Sequence, residues 1–368
     1  MKPLAITAYT ATSALGRGAP AMLEALRRGK SGLKPNDFDR AELRAWIGRV
    51  AGLEDEAVTG ALAEFDCRNN RLAQLGLAQD GFRDAVSRIR FKHGARKVAV
   101  LLGTSTSGIL QTELAYRAND LHGLRYRYAQ NLYSMTDFVR RSLGLEGPAM
   151  TISTACSSSA KVFAAAARYI ESGVADAAVV GGVDSLCLTT LHGFTSLQLV
   201  SDEPCRPFDA ARKGMSIGEA AGFALLEKAD SEIKFVGYGE SSDAYHMSTP
   251  QPEGEGAVAA MRQALARAGL EPAAIDYVNA HGTATPANDR AEDRAIARLF
   301  GAGVPVSSTK GWTGHTLGAA GIVEAIVCFL ALEHGLIPAT LNSSAIEPGL
   351  ESQIVLQNRN SRLRHVLS

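Results

Sequence analysis

Residues 149–176, AMTISTACSSSAKVFAAAARYIESGVAD, and residues 304–335, VPVSSTKGWTGHTLGAAGIVEAIVCFLALEHG, share one plan. Each begins with a short apolar run typical of a buried strand, continues with a turn rich in Ser, Thr and Gly, and ends in a long apolar segment. A helix that is apolar around most of its surface belongs in the interior of a large protein. The two stretches therefore predict a duplicated fold that packs two similar halves around a pair of buried helices.

Strand-like and helical patterns alternate along the rest of the chain. We predict buried strands at residues 97–103, 149–154, 177–182, 220–227, 275–281 and 304–309. We predict helices at residues 22–28, 72–90, 158–171, 256–268, 290–300 and 319–334. Because the two patterns alternate and no linker separates the halves, we expect an α/β layered architecture.

The composition is that of a globular protein and argues against several classes of function. The chain has 368 residues, of which 46% are hydrophobic and 21% are charged. A net charge of zero argues against a general nucleic-acid binder. Five cysteines without a CxxC pair, no signal-peptide pattern and no window of transmembrane length together predict a reduced, cytoplasmic protein without a membrane span.

Cys156 lies where a predicted strand meets a buried helix, in the segment STACSSS of residues 153–159. Unpaired N–H groups and the helix dipole at such a position favour a thiolate, which is the nucleophilic form of cysteine. A buried structural cysteine is the alternative interpretation. The other four cysteines lack this strand–turn–helix setting, so Cys156 is the candidate nucleophile.

Two histidines occupy comparable junctions. His281 ends the apolar run IDYVNAH, and His315 lies in KGWTGHTLGAAG between a predicted strand and a buried helix. Open α/β sheets build their sites at the carboxyl ends of strands. A packed or surface histidine is the alternative for either residue taken alone. No HExxH or similar spacing indicates a metal site.

Taken together, these segments resemble the elongating β-ketoacyl-[acyl carrier protein] synthases of the thiolase superfamily, over nearly the whole chain. The matching motifs, in the family's order, are TACSSS (154–159), RPFD (206–209), GEAAG (218–222), SSDAYHM (241–247), NAHGTAT (279–285), SSTK (307–310) and GHTLGAAG (314–321). The resemblance implies the thiolase fold, with duplicated βαβαβαββ halves in a five-layer αβαβα arrangement. We expect residues 1–232 to carry the nucleophile and residues 233–368 to carry both histidines.

The resemblance also implies a reaction. Cys156 would take an acyl chain from acyl carrier protein, and His281 and His315, as neutral imidazoles, would assist decarboxylation of malonyl-carrier protein and hold the enolate. The product would be a fatty-acid, polyene or polyketide chain extended by two carbons. Lys310 and Glu324 would support the site, and a buried ion pair that only fixes geometry is an equal alternative.

The remaining implied contacts concern the carrier protein and a partner subunit. Thr283 and Thr285 match threonines that bind the phosphopantetheine arm, and Arg68 and Arg71 lie in a segment resembling a carrier-docking helix. We expect no cofactor and no metal, because the carrier's phosphopantetheine holds the substrates. The family dimerises through the strand before the nucleophile, here residues 149–154. A homodimer and a heterodimer with a chain-length-factor-like homologue both stay open.

The sequence departs from the family pattern at several points. The family ends with a further strand and a glycine-rich loop, whereas this sequence stops at Ser368, so we expect the natural chain to continue. The segment TAYTAT of residues 7–12 departs from the usual Thr-Gly-Leu-Gly pattern, and Gln198 replaces an arginine found in many relatives. These differences favour a specialised branch, such as the aryl polyene or type II polyketide synthases.

Two alternative functions belong to other classes. A non-catalytic, chain-length-factor-like subunit would share the fold, but such partners typically lose the nucleophile, whereas Cys156, His281 and His315 are all present here. Thiolases and other coenzyme A acyltransferases are disfavoured, because thiolases have a second cysteine at the position of His315. Initiating synthases have an asparagine at that position.

Overall fold

A computed structural model describes residues 1–38, 41–120, 124–246 and 248–368 of the protein. Met247, the last residue of the predicted motif at residues 241–247, lies outside these ranges. The strands are β1 (Leu4–Ser13), β2 (Gly16–Arg17), β3 (Lys34–Pro35), β4 (Trp46–Gly48), β5 (Val98–Gly103), β6 (Ala149–Ile152), β7 (Ala177–Asp184), β8 (Ile217–Gly218), β9 (Ala220–Glu227), β10 (Lys234–Phe235), β11 (Tyr277–Asn279), β12 (Pro305–Ser307), β13 (Leu336–Ile337), β14 (Gln353–Ile354), β15 (Arg359–Asn360) and β16 (Val366–Leu367). The α-helices are α1 (Ala19–Arg28), α2 (Arg68–Leu77), α3 (Phe82–His93), α4 (Ile109–Ala118), α5 (Tyr133–Ser142), α6 (Ser158–Glu171), α7 (Leu188–Ser196), α8 (Glu255–Ala268), α9 (Pro286–Phe300), α10 (Lys310–Thr313) and α11 (Ala320–His334).

A seven-stranded mixed sheet forms the core of the N-terminal half and takes one strand, β10, from the start of residues 233–368. Its order is β10-β1-β9-β7-β5-β6, with β2 paired to β1, and strands β5, β6 and β7 run parallel. Successive residues of β5 face opposite sides of the sheet, as strand geometry requires. Val98 and Val100 join the core formed with α2, α3 and α5, whereas Ala99 and Leu101 join the core formed with α6 and α11. Burial of both faces explains the continuous apolar run in the sequence.

Helices α6 and α11 form the central layer, as the two opening stretches of sequence predict. Val162 of α6 and Ile322 of α11 belong to the same core cluster. The helices approach so closely that a Cβ on Gly321 would lie 2.5 Å from the backbone nitrogen of Ala160. Small residues are therefore required at this crossing, which accounts for the unusual composition of both helices.

A second, smaller parallel sheet with the order β14-β12-β11-β16 forms the C-terminal half. Tyr277 of this sheet packs with Cys328 of α11 on the inner face. Val306 packs with Leu265 of α8 and Ile296 of α9 on the outer face. The layers are thus outer helices, sheet, central helices, sheet and outer helices, which confirms the predicted αβαβα arrangement.

Two local predictions differ from the structure. The single helix predicted at residues 72–90 is two helices, α2 and α3, because Asp80 and Gly81 adopt left-handed φ angles of 55° and 64°. The Asp80 carboxylate accepts a hydrogen bond from the backbone N–H of Ala19 at 2.8 Å, which holds the break in place. Strand β1 was not predicted, because its buried threonines interrupt the apolar pattern.

One helical stretch also satisfies a length and composition test for crossing a membrane. Residues Leu317–His334 have a mean hydropathy of 1.7, and 72% of them are buried inside the protein. The core helix of a large protein has the same composition. The expectation that no window reaches transmembrane length is therefore wrong by this test, and the absence of a membrane span stays a prediction.

Candidate active site

The turn between β6 and α6 presents Cys156. Ala155, just before it, has a left-handed φ of 53°, a conformation that costs energy for a residue with a Cβ. The Ser158 hydroxyl accepts a hydrogen bond from the N–H of Thr154 at 2.9 Å and donates one to the carbonyl of Ala155 at 2.5 Å. These bonds hold the strained turn, and Cys156 is left half-buried at the start of the helix.

His315 reaches the same point from the other half of the fold. Its backbone N–H donates to the carbonyl of Ser216 at 2.7 Å, and its carbonyl accepts from the N–H of Gly218 at 2.9 Å. Its Nδ1 accepts the N–H of Leu317 at 3.3 Å, so a neutral ring carries its proton on Nε2. That Nε2 lies 2.9 Å from Sγ of Cys156 and donates to the sulfur.

His281 follows β11 and completes the group. The Glu292 carboxylate accepts the backbone N–H groups of His281 at 2.6 Å and Gly282 at 2.7 Å, which fixes the loop. The rings of His281 and His315 are edge to face, with centroids 5.0 Å apart. The sulfur of Cys156 and one nitrogen from each ring all lie within 4.8 Å of one another. Three side chains scattered through the sequence therefore converge.

A buried ion pair lies behind His281. Lys310 Nζ is hydrogen-bonded to the Glu324 carboxylate, donates to the carbonyl of His281 at 2.5 Å, and lies 3.1 Å from its Nδ1. Glu324 Oε1 lies 3.6 Å from the same Nδ1. Lys310 and Glu324 are only 2% and 8% exposed. The pair therefore contacts His281 directly and balances its own charge inside the protein.

The two imidazoles have different electrostatic surroundings. Burial, together with the charges of Lys310 and His281, lowers the pKa of His315 well below its usual 6.5, so this ring is neutral. Burial and Lys310 also lower the pKa of His281, but its hydrogen bonds to Cys156 and Glu324 and the Glu324 charge raise it more, to about 9. These surroundings favour a neutral His315 and a protonated His281 beside an unmodified cysteine, and the expectation of two neutral imidazoles stays a prediction.

One sulfur and two imidazole nitrogens could in principle ligate a divalent metal. A metal-bound histidine normally donates a proton from its other ring nitrogen. Here Nδ1 of His315 accepts from Leu317, and Nδ1 of His281 faces the Lys310 amine. His315 therefore does not fit a metal, because the proton of its neutral ring lies on Nε2 and points at Cys156. The expectation of no metal stays a prediction.

Thr283 and Thr285 lie in the loop that follows His281. Their hydroxyl oxygens are 2.8 Å apart, and both side chains are largely buried. Between them Ala284 has a left-handed φ of 67°, and its N–H donates to Asp289 at 3.1 Å. The loop is thus rigid and close to the histidine, and the binding of a phosphopantetheine arm by these threonines stays a prediction.

Arg68, which we expect in a docking surface, lies mostly inside the protein, and its docking role stays a prediction. Arg68 is 9% exposed, and its guanidinium forms ion pairs with the fully buried Glu219 at 2.7 Å and with Glu54. Its charge is therefore used inside the chain, where it links α2 to the residue before β9. Arg71 is half-buried and pairs with Asp66 at 2.5 Å, so it presents a partly neutralised charge to a partner.

Two carboxylates that matter to the site were not identified from the sequence. Glu292 holds the backbone at His281 and Gly282 through two N–H groups. Asp184 was not singled out, although it ends β7 at the same edge of the sheet at which β6 leads to Cys156. Its position at the carboxyl end of a buried parallel strand was the available signal.

Comparisons with known proteins agree with this geometry. The family described as "Beta-ketoacyl synthase, N-terminal domain" matches residues 1–232, and "Beta-ketoacyl synthase, C-terminal domain" matches residues 233–344. Nodulation protein E from a Rhizobium species is 32% identical over 95% of this chain and 90% of its own length. The 3-oxoacyl-[acyl-carrier-protein] synthase 2 of Vibrio cholerae is 35% identical over 95% of this chain and 91% of its own.

Solved structures give the same result. The ketosynthase ApeO, in complex with its chain length factor ApeC from Xenorhabdus doucetiae, has a TM-score of 0.90 and 38% identity, covering 99% of this chain and 93% of that one. The ishigamide ketosynthase/chain length factor has a TM-score of 0.89 and 27% identity over 99% of this chain and 94% of that one. The predicted resemblance and the acyltransferase class are confirmed. The chain belongs to the β-ketoacyl synthase family.

Proposed function

We propose that this chain is the catalytic subunit of a ketosynthase pair that extends a carrier-bound acyl chain by decarboxylative condensation. The acyl group would be held on Cys156, and malonyl-acyl carrier protein would supply two carbons. The observation that carries the proposal is the 2.9 Å contact between Cys156 Sγ and His315 Nε2, with His281 against the same sulfur. A subunit that only shapes an acyl pocket has no need of this arrangement.

The first step is transfer of the acyl group to sulfur. The Cys156 thiolate, stabilised by the Nε2–H of His315, attacks the thioester carbon of acyl-acyl carrier protein. A new thioester forms on Cys156, the old carbon–sulfur bond breaks, and the phosphopantetheine thiolate leaves. Because one thioester replaces another, this step is close to balanced in free energy and needs no external activation.

The second step uses the carbon–carboxylate bond of malonyl-carrier protein. That bond breaks, carbon dioxide leaves, and its electron pair becomes an enolate whose oxygen accepts hydrogen bonds from Nε2–H of His281 and His315. Fixed donors aimed at a developing oxyanion contribute strongly to rate. The enolate carbon then attacks the acyl thioester, and Cys156 departs as thiolate. The product is a β-ketoacyl-carrier protein two carbons longer.

Acylation itself changes the charge of the site. The hydrogen bond to Cys156 is one of the interactions that raise the pKa of His281, and it weakens when the sulfur becomes a neutral thioester. Burial and Lys310, which lower that pKa, are unchanged. His281 is therefore more readily neutral after acylation. A neutral ring can donate a hydrogen bond to the enolate oxygen and keep its proton.

The proposed partner subunit would cover the face beside β6. This strand lies at one end of the seven-stranded sheet, where β5 is its neighbour among the described strands. Leu132 and Tyr133, at the start of the adjacent helix, are exposed, as is Tyr126. An apolar surface next to an open strand edge favours pairing with another subunit.

Similarity to the ApeO ketosynthase supports a chain-length-factor-like homologue as that subunit, and an aryl polyene or related polyketide pathway as the setting. Acyl carrier protein as the substrate donor is supported by the naming of the Vibrio cholerae relative. The proposal includes a cytoplasmic location and no cofactor beyond the carrier's own phosphopantetheine.

Mass spectrometry of the intact protein tests the chemistry. The chain, purified with its partner subunit, is incubated with acyl-carrier protein, and the expected result is one acyl adduct that maps to Cys156 and is lost in Cys156→Ala. Addition of malonyl-carrier protein should discharge the adduct and yield the extended β-ketoacyl-carrier protein. An unmodified Cys156 in an intact complex would instead favour the non-catalytic partner role.

The oligomeric state tests the partner. The chain alone and the chain co-expressed with a chain-length-factor-like homologue are compared by light scattering and by condensation assay. We expect condensation only with the one-to-one pair. A homodimer that condenses at the same rate as the pair would contradict the heterodimer and leave the chemistry of Cys156 intact.

A further inference from the structure

Asp184 is a fully buried carboxylate at the end of β7 that takes no part in the reaction proposed above. It accepts hydrogen bonds from the hydroxyls of Thr104 at 2.5 Å, Ser105, and Thr106 at 2.9 Å. It also accepts the backbone N–H groups of Ser105 at 3.0 Å, Thr106 at 3.1 Å and Gly318 at 2.6 Å. In the described part of the chain these partners include no Lys, Arg or His. The charge is therefore balanced by N–H and O–H dipoles alone.

These donors come from two segments that meet behind the active site. One is the loop that follows β5, and the other is the turn between His315 and α11. Gly318 in that turn packs so tightly that an added Cβ would lie 2.7 Å from Asp184 Oδ2 and 2.7 Å from the backbone nitrogen of Ser105. Asp184 is thus the contact through which the loop after β5 holds the turn after His315.

The turn after His315 also determines which ring nitrogen of the neutral imidazole carries the proton. Leu317 has a left-handed φ of 54°, and its N–H is the group that donates to Nδ1 of His315 at 3.3 Å. The neighbouring N–H, on Gly318, donates to Asp184. Of two successive N–H groups in one strained turn, the first therefore donates to the imidazole and the second to Asp184. The hydrogen bond to Asp184 holds the backbone in the orientation that the bond to the imidazole requires.

We propose that Asp184 is a positioning residue, which keeps Nε2 of His315 as the proton donor to Cys156 by holding the Leu317–Gly318 turn. The role rests on the proposed function, in which this donor stabilises first the thiolate and then the enolate. Only a carboxylate satisfies the arrangement, because its oxygens accept all six donors. An asparagine of the same shape would place an NH₂ group among N–H and O–H donors, and Gly318 would lose its partner or its orientation.

The reactivity of the Cys156 thiol reports on this role without any carrier protein. In Asp184→Asn, alkylation of Cys156 by iodoacetamide at neutral pH should slow about tenfold, the effect of losing roughly one charge-assisted hydrogen bond. The rates should converge at alkaline pH, because there any cysteine is largely thiolate and the supply of the reactive form no longer depends on a hydrogen bond. A loss of packing or access alone would slow alkylation equally at every pH.

Asp293→Asn is the matched control. Asp293 is also buried and lies on α9 in the outer layer. Its carboxylate accepts hydrogen bonds from the backbone N–H groups of Glu351 at 3.0 Å and Ser352 at 2.9 Å. It should lower the melting temperature without changing the pH dependence of alkylation. Wild-type alkylation in a folded Asp184→Asn protein would overturn the inference. A wild-type protein that alkylates as expected but never condenses would instead refute the proposed function.

Two further variants test whether Asp184 affects Cys156 through the turn after His315 or through the loop after β5. Gly318→Ala pushes the turn away from Asp184 and should reproduce the slow alkylation, which keeps the test available if Asp184→Asn does not fold. Thr106→Val removes one hydroxyl donor from the loop and leaves Gly318 in contact, so it should alkylate normally. An equal effect of Thr106→Val would place the effect in the loop and overturn the assignment to His315.

Discussion

Nε2 of His315 lies 2.9 Å from Sγ of Cys156, although the two residues are 159 positions apart and belong to different halves of the fold. Each lies in a turn that precedes a central helix, α6 for the cysteine and α11 for the histidine. Because these helices pack against each other, their N-terminal turns meet. The proposed catalytic pair therefore forms because the two halves of the fold pack through these helices.

Alkylating reagents should label Cys156 in preference to the other four cysteines. Burial raises the pKa of Cys187 to about 12 and those of Cys67 and Cys205 to about 11, and it raises the pKa of Cys328 further. The thiolate is the reactive form, so these four thiols stay inert. Peptide mapping after brief iodoacetamide treatment at neutral pH checks this, with Cys187→Ala as the control that leaves labelling unchanged. Equal labelling of Cys187 in the folded protein would contradict the assignment.

Removal of the sulfur should separate the two half-reactions. We expect Cys156→Ala to form no acyl adduct and no condensation product but to release carbon dioxide from malonyl-carrier protein, because the donors of both histidines remain. His315→Ala should lose decarboxylation by about 100-fold or more, as expected for removal of one oxyanion donor. Carbon dioxide release from labelled malonyl-carrier protein measures both. Full decarboxylation by His315→Ala would show that this ring does not hold the enolate.

The Lys310–Glu324 pair should behave as a buried ion pair. Lys310→Met leaves the Glu324 carboxylate without its partner and should lower the free energy of unfolding by about 3 kcal/mol, while the double variant with Glu324→Leu recovers much of the loss. Denaturant titration of Lys310→Met, Glu324→Leu and the double variant measures the free energy of unfolding of each. Condensation should fall in both single variants and stay low in the double variant, because His281 loses the groups around Nδ1. An active double variant would limit the pair to stability.

Replacement of Arg68 should cost stability and leave carrier binding unchanged. Arg68→Ala leaves the fully buried Glu219 charge unpaired, and we expect a loss of about 3 kcal/mol in the free energy of unfolding. Arg71→Ala, beside the half-buried Asp66, should cost less than about 1 kcal/mol. Denaturation gives the first comparison and titration calorimetry with acyl carrier protein the second. Weaker carrier binding by a folded Arg68→Ala protein would restore its docking role.

The titration of His281 should depend on the cysteine. With a folded pKa raised from 6.5 to about 9, the stability that this ring contributes is fully present below pH 6.5 and is lost as the pH rises through about 9. In Cys156→Ala one cause of the raised pKa is gone, so the midpoint should move to lower pH. Imidazole NMR signals, assigned with His281→Gln, measure both midpoints. Identical midpoints in the two proteins would show that the sulfur of Cys156 does not contribute to the raised pKa of His281.

The sequence by itself determined the layered α/β architecture and the three side chains that are candidates for the reaction. Apolar runs bounded by glycine-rich turns reveal doubly covered strands, and α6 matches its predicted bounds because its pattern is strong and local. Cys156, His281 and His315 were recognisable because each occupies a junction where such folds build sites. Those signals lie in neighbouring residues, so they can be read along the chain.

Only the tertiary structure decided which charges are free and which hold the site. Arg68 resembles a surface cation in sequence, and its neutralisation by Glu219 depends on a contact across 151 positions. Asp184 has an unremarkable local context, and its partners on Thr104 and Gly318 come from segments far away in the chain. Burial and pairing are properties of the whole packed molecule, because the free energy of a charge depends on everything around it.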